Sequence, residues 1–516
     1  MNRQQLLSFS RRLSRAARRT ALLISADLAE PLSSRGVAPA FRASGYAAIS
    51  DWLRQACLSP EGTRERIAVY VLRNQWWLEW GCYACCRLRT MGFRPVLLYS
   101  SAELRQGLRL RPWERDFSRL ALHNEVYPSV DIEPFVLAES EEAVTESYTL
   151  EASVSLAYDT GKEISSNETE LLALRQRLAA HERVAIQLSR SLALSRVLLP
   201  SGIIGSTAGL LSGFRKSDVE VACVESWGLT PGHMLWNLNA PALHFDYRGW
   251  MEVVGELSPS QDREVMDYLR FQENPESSAL SGKTRAYQLV SVRNALPPQI
   301  DTFVNQPTPY LLLGTNVIGD SATLGRQVVF ETQEDWLSQT IQWFQSNPQY
   351  RLIIRVHPGE LIGPTPLPLA PLVQKLAAGH PNVLVVAPDE RVSSYALAQG
   401  AQGASVFVSN LGVDLAARGL PVIAVGRTPY AGLGVTAEPT SREQYFEQLA
   451  ALFGGQPLMP ADAVKQAKRV IHVLIRLVSL PGSPYFQHPL RHALNAEELS
   501  LFYRLLAGEA KREDCL

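Results

Sequence analysis

Tyr310-Leu-Leu-Leu-Gly-Thr-Asn316 and Leu352-Ile-Ile-Arg-Val-His-Pro-Gly-Glu360 are apolar runs that end in small, polar or ionisable residues. The pattern recurs at Val383-Leu-Val-Val386, at Ser405-Val-Phe-Val408 followed by Ser409-Asn410, and at Pro421-Val-Ile-Ala-Val425. Short β-prone runs separated by helical periodicity are the signature of parallel βαβ units. Between the first two runs, Thr332-Gln-Glu-Asp335 resembles a capping box, and it opens a helix that buries Trp336, Ile341 and Phe344. The series predicts a doubly wound parallel sheet over residues 309–445.

The grammar extends upstream. Ile67-Ala-Val-Tyr-Val-Leu72, a helix-like stretch from Trp76 to Met91, a stop at Gly92 and Pro95-Val-Leu-Leu-Tyr99 form one unit. Arg196-Val-Leu-Leu-Pro200, a Gly/Ser-rich turn, a helix and Val219-Glu-Val-Ala-Cys-Val224 form another. Residues 139–170 are acidic and rich in Ser and Thr, and 290–309 carry four prolines, so the first reads as an excursion and the second as a joint. The expected organisation is an arm with helices over 1–60, a first Rossmann-like domain over 61–295, a second over 305–455, and a helical tail over 456–516 near the hinge.

The 516 residues are 46% hydrophobic and 20% charged, a globular composition. Lys and Arg total 50 against 51 Asp and Glu, which argues against a surface that tracks nucleic-acid phosphates. Six cysteines in this length make no disulfide framework, and no apolar run is long enough to span a bilayer, so a cytoplasmic protein is expected. Residues 1–26 depart from the balance, with Arg3, Arg11, Arg12, Arg15, Arg18 and Arg19 and no acid. Leu6, Phe9, Leu13 and Ala17 recur between them, so the arm reads as a basic amphipathic helix for peripheral contact with an anionic membrane face or for an acidic partner, or as a solvated arm. An organellar transit peptide shares this composition.

In an open parallel sheet, ligands sit beyond the carboxyl ends of the strands. Gly314, Thr315 and Asn316 stand at one such end and let a ligand approach the backbone. His357 stands at the next, where an imidazole can donate to a diphosphate, and Glu360 can orient it or hold a sugar hydroxyl. Ser393 and Ser394 precede a helix. Ser409 and Asn410 open another, whose N–H groups and dipole suit phosphate. Asp414, one turn on, can accept both ribose hydroxyls. Each motif has a plainer account when taken singly: a structured turn for His357-Pro358, capping for the serines, dipole complementation for Asp414.

Order and spacing together are more informative. Leu313-Gly-Thr-Asn-Val317, Asp335-Trp-Leu337, the run from Leu352 to Glu360, Ser393-Ser-Tyr395, Ser409-Asn-Leu-Gly-Val-Asp414, Arg418-Gly-Leu-Pro-Val422 and residues 430–436 resemble the nucleotide-binding half of GT-B glycosyltransferases of the capsule polysaccharide biosynthesis type, a group that includes bacterial Kdo transferases. The resemblance covers about a quarter of the chain and implies two Rossmann-like domains facing a cleft. It implies a sugar-nucleotide donor, CMP- or UDP-linked, bound in the second domain, and a glycan or lipid-linked acceptor in the first. His357 matches the histidine near the donor phosphate; Glu360, Ser394, Ser409 and Asp414 match nucleotide- and sugar-contacting positions. The family more often has Glu at Asp414, a Ser/Thr pair at Ser409-Asn410 and an aromatic at Val435.

The first half offers weaker candidates for a catalytic base. Glu79 lies at the start of the helix after the first strand, Glu225 directly follows a strand and heads a loop with Trp227, Gly228 and His233, and Asp246 is a third choice. Cys82, Cys85 and Cys86 lie on a helix without a second ligand pair, so packing accounts for them better than a metal does. No Asp-x-Asp stands beside a strand, and a metal-independent reaction without a cofactor is expected. The leading expectation is a glycosyltransferase of surface-polysaccharide or glycolipid assembly. A GT-B sugar-nucleotide epimerase and a non-catalytic GT-B-like scaffold in polysaccharide export are the alternatives.

Overall fold

The computed structural model describes residues 62–72, 75–107, 126–138, 168–226, 233–245, 247–273, 296–320, 322–361, 368–477, 479–482 and 496–511, with Ala56, Ser59, Tyr148, Ala152 and Asp514. The basic arm, most of the acidic excursion, Trp227, Gly228 and Asp246 lie outside the described residues.

The apolar runs form two sheets. In the first half β1 (Arg66–Val71), β2 (Arg94–Tyr99), β3 (Ser129–Asp131), β4 (Leu194–Pro200), β5 (Glu220–Ser226) and β6 (His233–Leu238) are followed in the second by β7 (Tyr310–Gly314), β8 (Arg351–Arg355), β9 (Val383–Val386), β10 (Gly403–Val406) and β11 (Val422–Ala424); β12 (Ser479–Pro481) comes last. The second sheet has the order β11-β10-β7-β8-β9, and every pair in it is parallel. It is the doubly wound sheet that the sequence predicts. The first has the order β12-β6-β5-β4-β1-β2-β3 and is parallel from β5 to β3. β1, β7 and β8 read as near-continuous apolar runs because helices cover both faces, and their residues from Ile67, Tyr310 and Arg351 onward are buried.

Three features differ from expectation. Ser129–Asp131, a stretch without an apolar run, pairs parallel with β2 and ends the first sheet. The strand β5 continues through Glu225, which pairs with Leu235 of the antiparallel β6, so Glu225 sits inside a hairpin and not in a loop beyond a parallel strand. The tail is not wholly helical: Ser479–Pro481 pairs antiparallel with β6 and becomes the edge of the first sheet.

The helices used below are α1 (Gln75–Thr90), α2 (Glu168–Ser191), α3 (Thr207–Lys216), α4 (Pro259–Glu273), α5 (Gln333–Ser346), α6 (Ser394–Ala398), α7 (Asn410–Ala416) and α8 (Ala463–Arg476). On α8, Ala467, Val470, Ile471 and Leu474 are buried. Its polar face pairs Lys468 with Asp262 at 2.9 Å and Arg476 with Glu264 at 2.7 Å, both on α4. Gly419, at φ 85°, makes the tight turn from α7 into β11, a conformation open to glycine.

The two halves also meet through loops. Arg326, in the long loop after β7, donates to the carbonyls of Leu243 and Arg427, each at 3.0 Å. Ile203, beyond β4, and Leu324 form a small buried cluster. Among the described residues no helix is long and apolar enough to cross a membrane.

Candidate active site

In the second sheet the chain runs from β7 out to β8 and β9, then returns to place β10 on the other side of β7. The switch point therefore lies between β7 and β10, and the loops there gather most of the residues singled out above. Gly314 closes β7 against α7, where an added Cβ would stand 3.0 Å from Leu411. The hydroxyl of Thr315, nearly buried, accepts from the backbone N–H of His357 at 3.0 Å and so ties the ends of β7 and β8 together.

His357 begins the turn into the short helix Pro358–Leu361. The N–H of Gly359 donates to its Nδ1 at 2.9 Å. A neutral ring whose Nδ1 accepts carries its proton on Nε2, so the turn fixes the tautomer that presents an N–H donor.

Several neighbours are engaged in holding the backbone. Asn316 donates to the carbonyl of Val408 at 2.8 Å and accepts from its N–H at 3.1 Å, which locks the β7 loop to the end of β10. The Glu360 carboxylate accepts from the Leu369 N–H at 3.0 Å. The helix Leu369–Ala377 follows Pro368, which has no side-chain acceptor to cap it, and Glu360 fills that role. Burial pushes the Glu360 carboxyl up, with the Leu369 and Ala370 amides pulling the other way. Glu360 thus acts here as a cap and not as an orienter of His357. Ser393 caps α6 by accepting from the Tyr395 N–H at 3.2 Å. Ser394 is half-buried at the head of that helix. Ser409 caps α7 by accepting from the Leu411 N–H at 3.2 Å, with Asn410 first in the helix.

Asp414 is the clearest departure from the sequence reading. It is 2% exposed, and the Tyr395 hydroxyl donates to its Oδ2 at 2.6 Å. Burial raises its carboxyl to about 6, against the pull of Tyr395, Arg418 and Tyr268. Arg418 stacks its guanidinium 4.5 Å from the Tyr395 ring, donates to the Asp414 carbonyl at 2.8 Å, and reaches Glu273 of α4 at 2.9 Å. A ribose cannot take the Oδ2 position without displacing Tyr395. In sequence, Tyr395 and Arg418 stand only among the residues that carry the resemblance, and nothing marks Tyr268; an Asp inside an otherwise apolar helix face is the available signal.

The base candidates fare differently. Glu225 is half-buried within the β5–β6 hairpin, at the side of the sheet away from the β1/β4 switch point. Glu79 lies on α1, and its side chain, like that of Asp246, is outside the described residues. Cys82, Cys85 and Cys86 are buried on α1, where burial holds the Cys85 thiol well above its usual range; this is packing, as expected.

No family model and no curated protein matches the chain. Among solved structures it is similar to the KpsC β-Kdo 2,4 and 2,7 transferases of Thermosulfurimonas dismutans, at 14% identity in each case. The matches cover 54% and 58% of this chain and 79% and 82% of those chains, with TM-scores of 0.34 and 0.36. It is also similar to the UDP-bound MnaA of S. aureus, at 10% identity over 87% of this chain and 98% of that one, with a TM-score of 0.30. These scores are low, and the fold assignment rests on the strand orders above.

Proposed function

We propose that the chain is a nucleotide-sugar-dependent glycosyltransferase that acts without a metal on a surface-polysaccharide or glycolipid acceptor. The observation that carries this reading is the His357 turn: Gly359 holds Nδ1 as an acceptor, so Nε2 carries the proton, at a strand end joined to the switch point by Thr315. A donor there offers most to an oxygen whose charge grows as it leaves, which is the chemistry of a departing nucleotide phosphate. Residues 1–20 supply cationic charge for peripheral contact with lipid at the inner membrane face.

A specific observation favours a second reading. Asn316, Glu360, Ser393 and Asp414 are all engaged in internal hydrogen bonds, as a GT-B-like scaffold without activity would have them. A thermal-shift screen with CMP-, UDP-, GDP- and dTDP-linked sugars, followed by product analysis, separates the possibilities. A transferred sugar supports the first reading, an isomerised nucleotide sugar indicates an epimerase, and neither binding nor turnover indicates the scaffold. In an active enzyme, His357→Ala lowers turnover by a factor on the order of 10²–10³ with modest change in donor affinity. Full turnover in folded His357→Ala protein refutes the proposed role.

A further inference from the structure

The first sheet has its own switch point, between β1 and β4, and a polar cluster stands there that the transferase reading has not used. The Tyr70 hydroxyl, at the end of β1, donates to Glu103 Oε2 at 3.0 Å. The Ser206 N–H, at the head of α3, donates to Glu103 Oε1 at 3.1 Å. The hydroxyls of Ser206 and Tyr70 are 2.7 Å apart. Burial and the charge of Glu103 push the Tyr70 phenol well above its usual value, so Tyr70 keeps its proton and Ser206 donates to it.

The other carboxylates of the cluster are committed elsewhere. Glu133 is nearly buried and held by Ser100 at 2.5 Å and Arg177 at 2.8 Å, and Asp131 accepts from the Ser101 and Glu133 amides. Glu103 is half-buried, as Asp131 is, and carries one hydrogen bond on each oxygen, leaving lone pairs for a further donor. The loop that carries Ser206 also packs on the second half. Ile203 and Ile204, in the loop that ends at Ser206, pack on Leu324 of the β7 loop, and that loop begins at the Thr315–His357 hydrogen bond.

We propose that Glu103 is the base that activates the acceptor, an inference that rests on the transferase reading above. The acceptor hydroxyl gives its proton to the Glu103 carboxylate, and its oxygen forms a bond to the anomeric carbon. The bond from that carbon to the donor phosphate breaks, its electron pair leaves with the nucleotide, and Glu103 returns the proton to solvent. One displacement inverts the anomeric centre. Tyr70 and Ser206 are positioning residues that hold the carboxylate at the sheet end.

The test uses the full chain, with nucleotide release from CMP- and UDP-linked sugars and water serving as acceptor. Glu103→Gln lowers kcat by 10²–10⁴-fold, the scale of general-base catalysis, with donor affinity unchanged. Glu133→Gln, in the same cluster, leaves kcat within about threefold once folding is confirmed. Tyr70→Phe, which keeps the ring, lowers kcat by about tenfold at constant donor affinity and decides the matter if Glu103→Gln does not fold. The released sugar has the inverted configuration. Full activity in Glu103→Gln, equal losses in Glu103→Gln and Glu133→Gln, or retained configuration overturns the assignment while leaving the transferase reading intact. If the wild-type chain releases nucleotide from no donor in the panel, both fall.

Discussion

Replacing Asp414 with Asn separates a buried structural acid from a ligand-binding one. An acid whose pKa is raised on folding binds its proton more tightly in the native chain. Asp414 rises from the ordinary 3.8 to about 6, chiefly through burial. Its favourable contribution is therefore complete below about pH 4 and is lost as pH climbs through about 6. At about 1.4 kcal/mol per pH unit, that gap makes the ionised form cost on the order of 3 kcal/mol at neutral pH. Asn keeps an acceptor for Tyr395 and carries no charge to desolvate. Asp414→Asn is thus expected to match wild type near pH 4 and to be the more stable protein at pH 8, by on the order of 1–3 kcal/mol. Urea titrations of both proteins from pH 4 to 8, followed by tryptophan fluorescence, read the difference directly. A difference that stays flat with pH, or a wild type that is the more stable form at pH 8, refutes the reasoning.

Two further outcomes follow from features already described. Asn316→Ala leaves the N–H and carbonyl of Val408 without their buried partner, so stability should fall by about 2–4 kcal/mol in the same urea assay; a loss under about 0.5 kcal/mol contradicts the bridging role. Deleting residues 1–20 removes six arginines, each worth ~1 kcal/mol at an anionic surface. Co-sedimentation with anionic liposomes should drop in the truncated protein and weaken with salt in the full chain, and equal binding by both contradicts membrane contact.

The second sheet was legible because a buried parallel strand leaves little choice of residue: β7 is an unbroken apolar run, β8 is apolar from Leu352 to Ile354, and polar residues follow at both carboxyl ends. The Thr332 cap could be read for the same local reason, and its hydroxyl does accept from the Asp335 N–H, at 3.1 Å. In the first sheet β1, β2, β4 and β5 were legible; β3, only three residues with a single apolar one, was not, and whether Glu225 and Ser226 end a strand or continue it depends on β6 lying beside them. The side-chain assignments were harder still. Nothing near Asp414 in sequence says that Tyr395 and Tyr268 converge on it, and nothing near Glu103 says that Tyr70 and Ser206 do. These are contacts between distant segments, whereas periodicity reports only which face of its own element a residue occupies.

The strand β12 ties the first half to the order of synthesis. β6, with Met234, Leu235 and Trp236 buried in the finished protein, emerges from the ribosome about 240 residues before the strand that covers its edge. At about 5–20 residues per second the interval is roughly 12–50 s. The second sheet draws all of its strands from within that interval and can close while the first is still waiting. The half that begins the chain is thus finished last, and for that time an uncovered, apolar sheet edge faces the cell, the kind of surface that chaperones hold and that neighbouring nascent chains pair with.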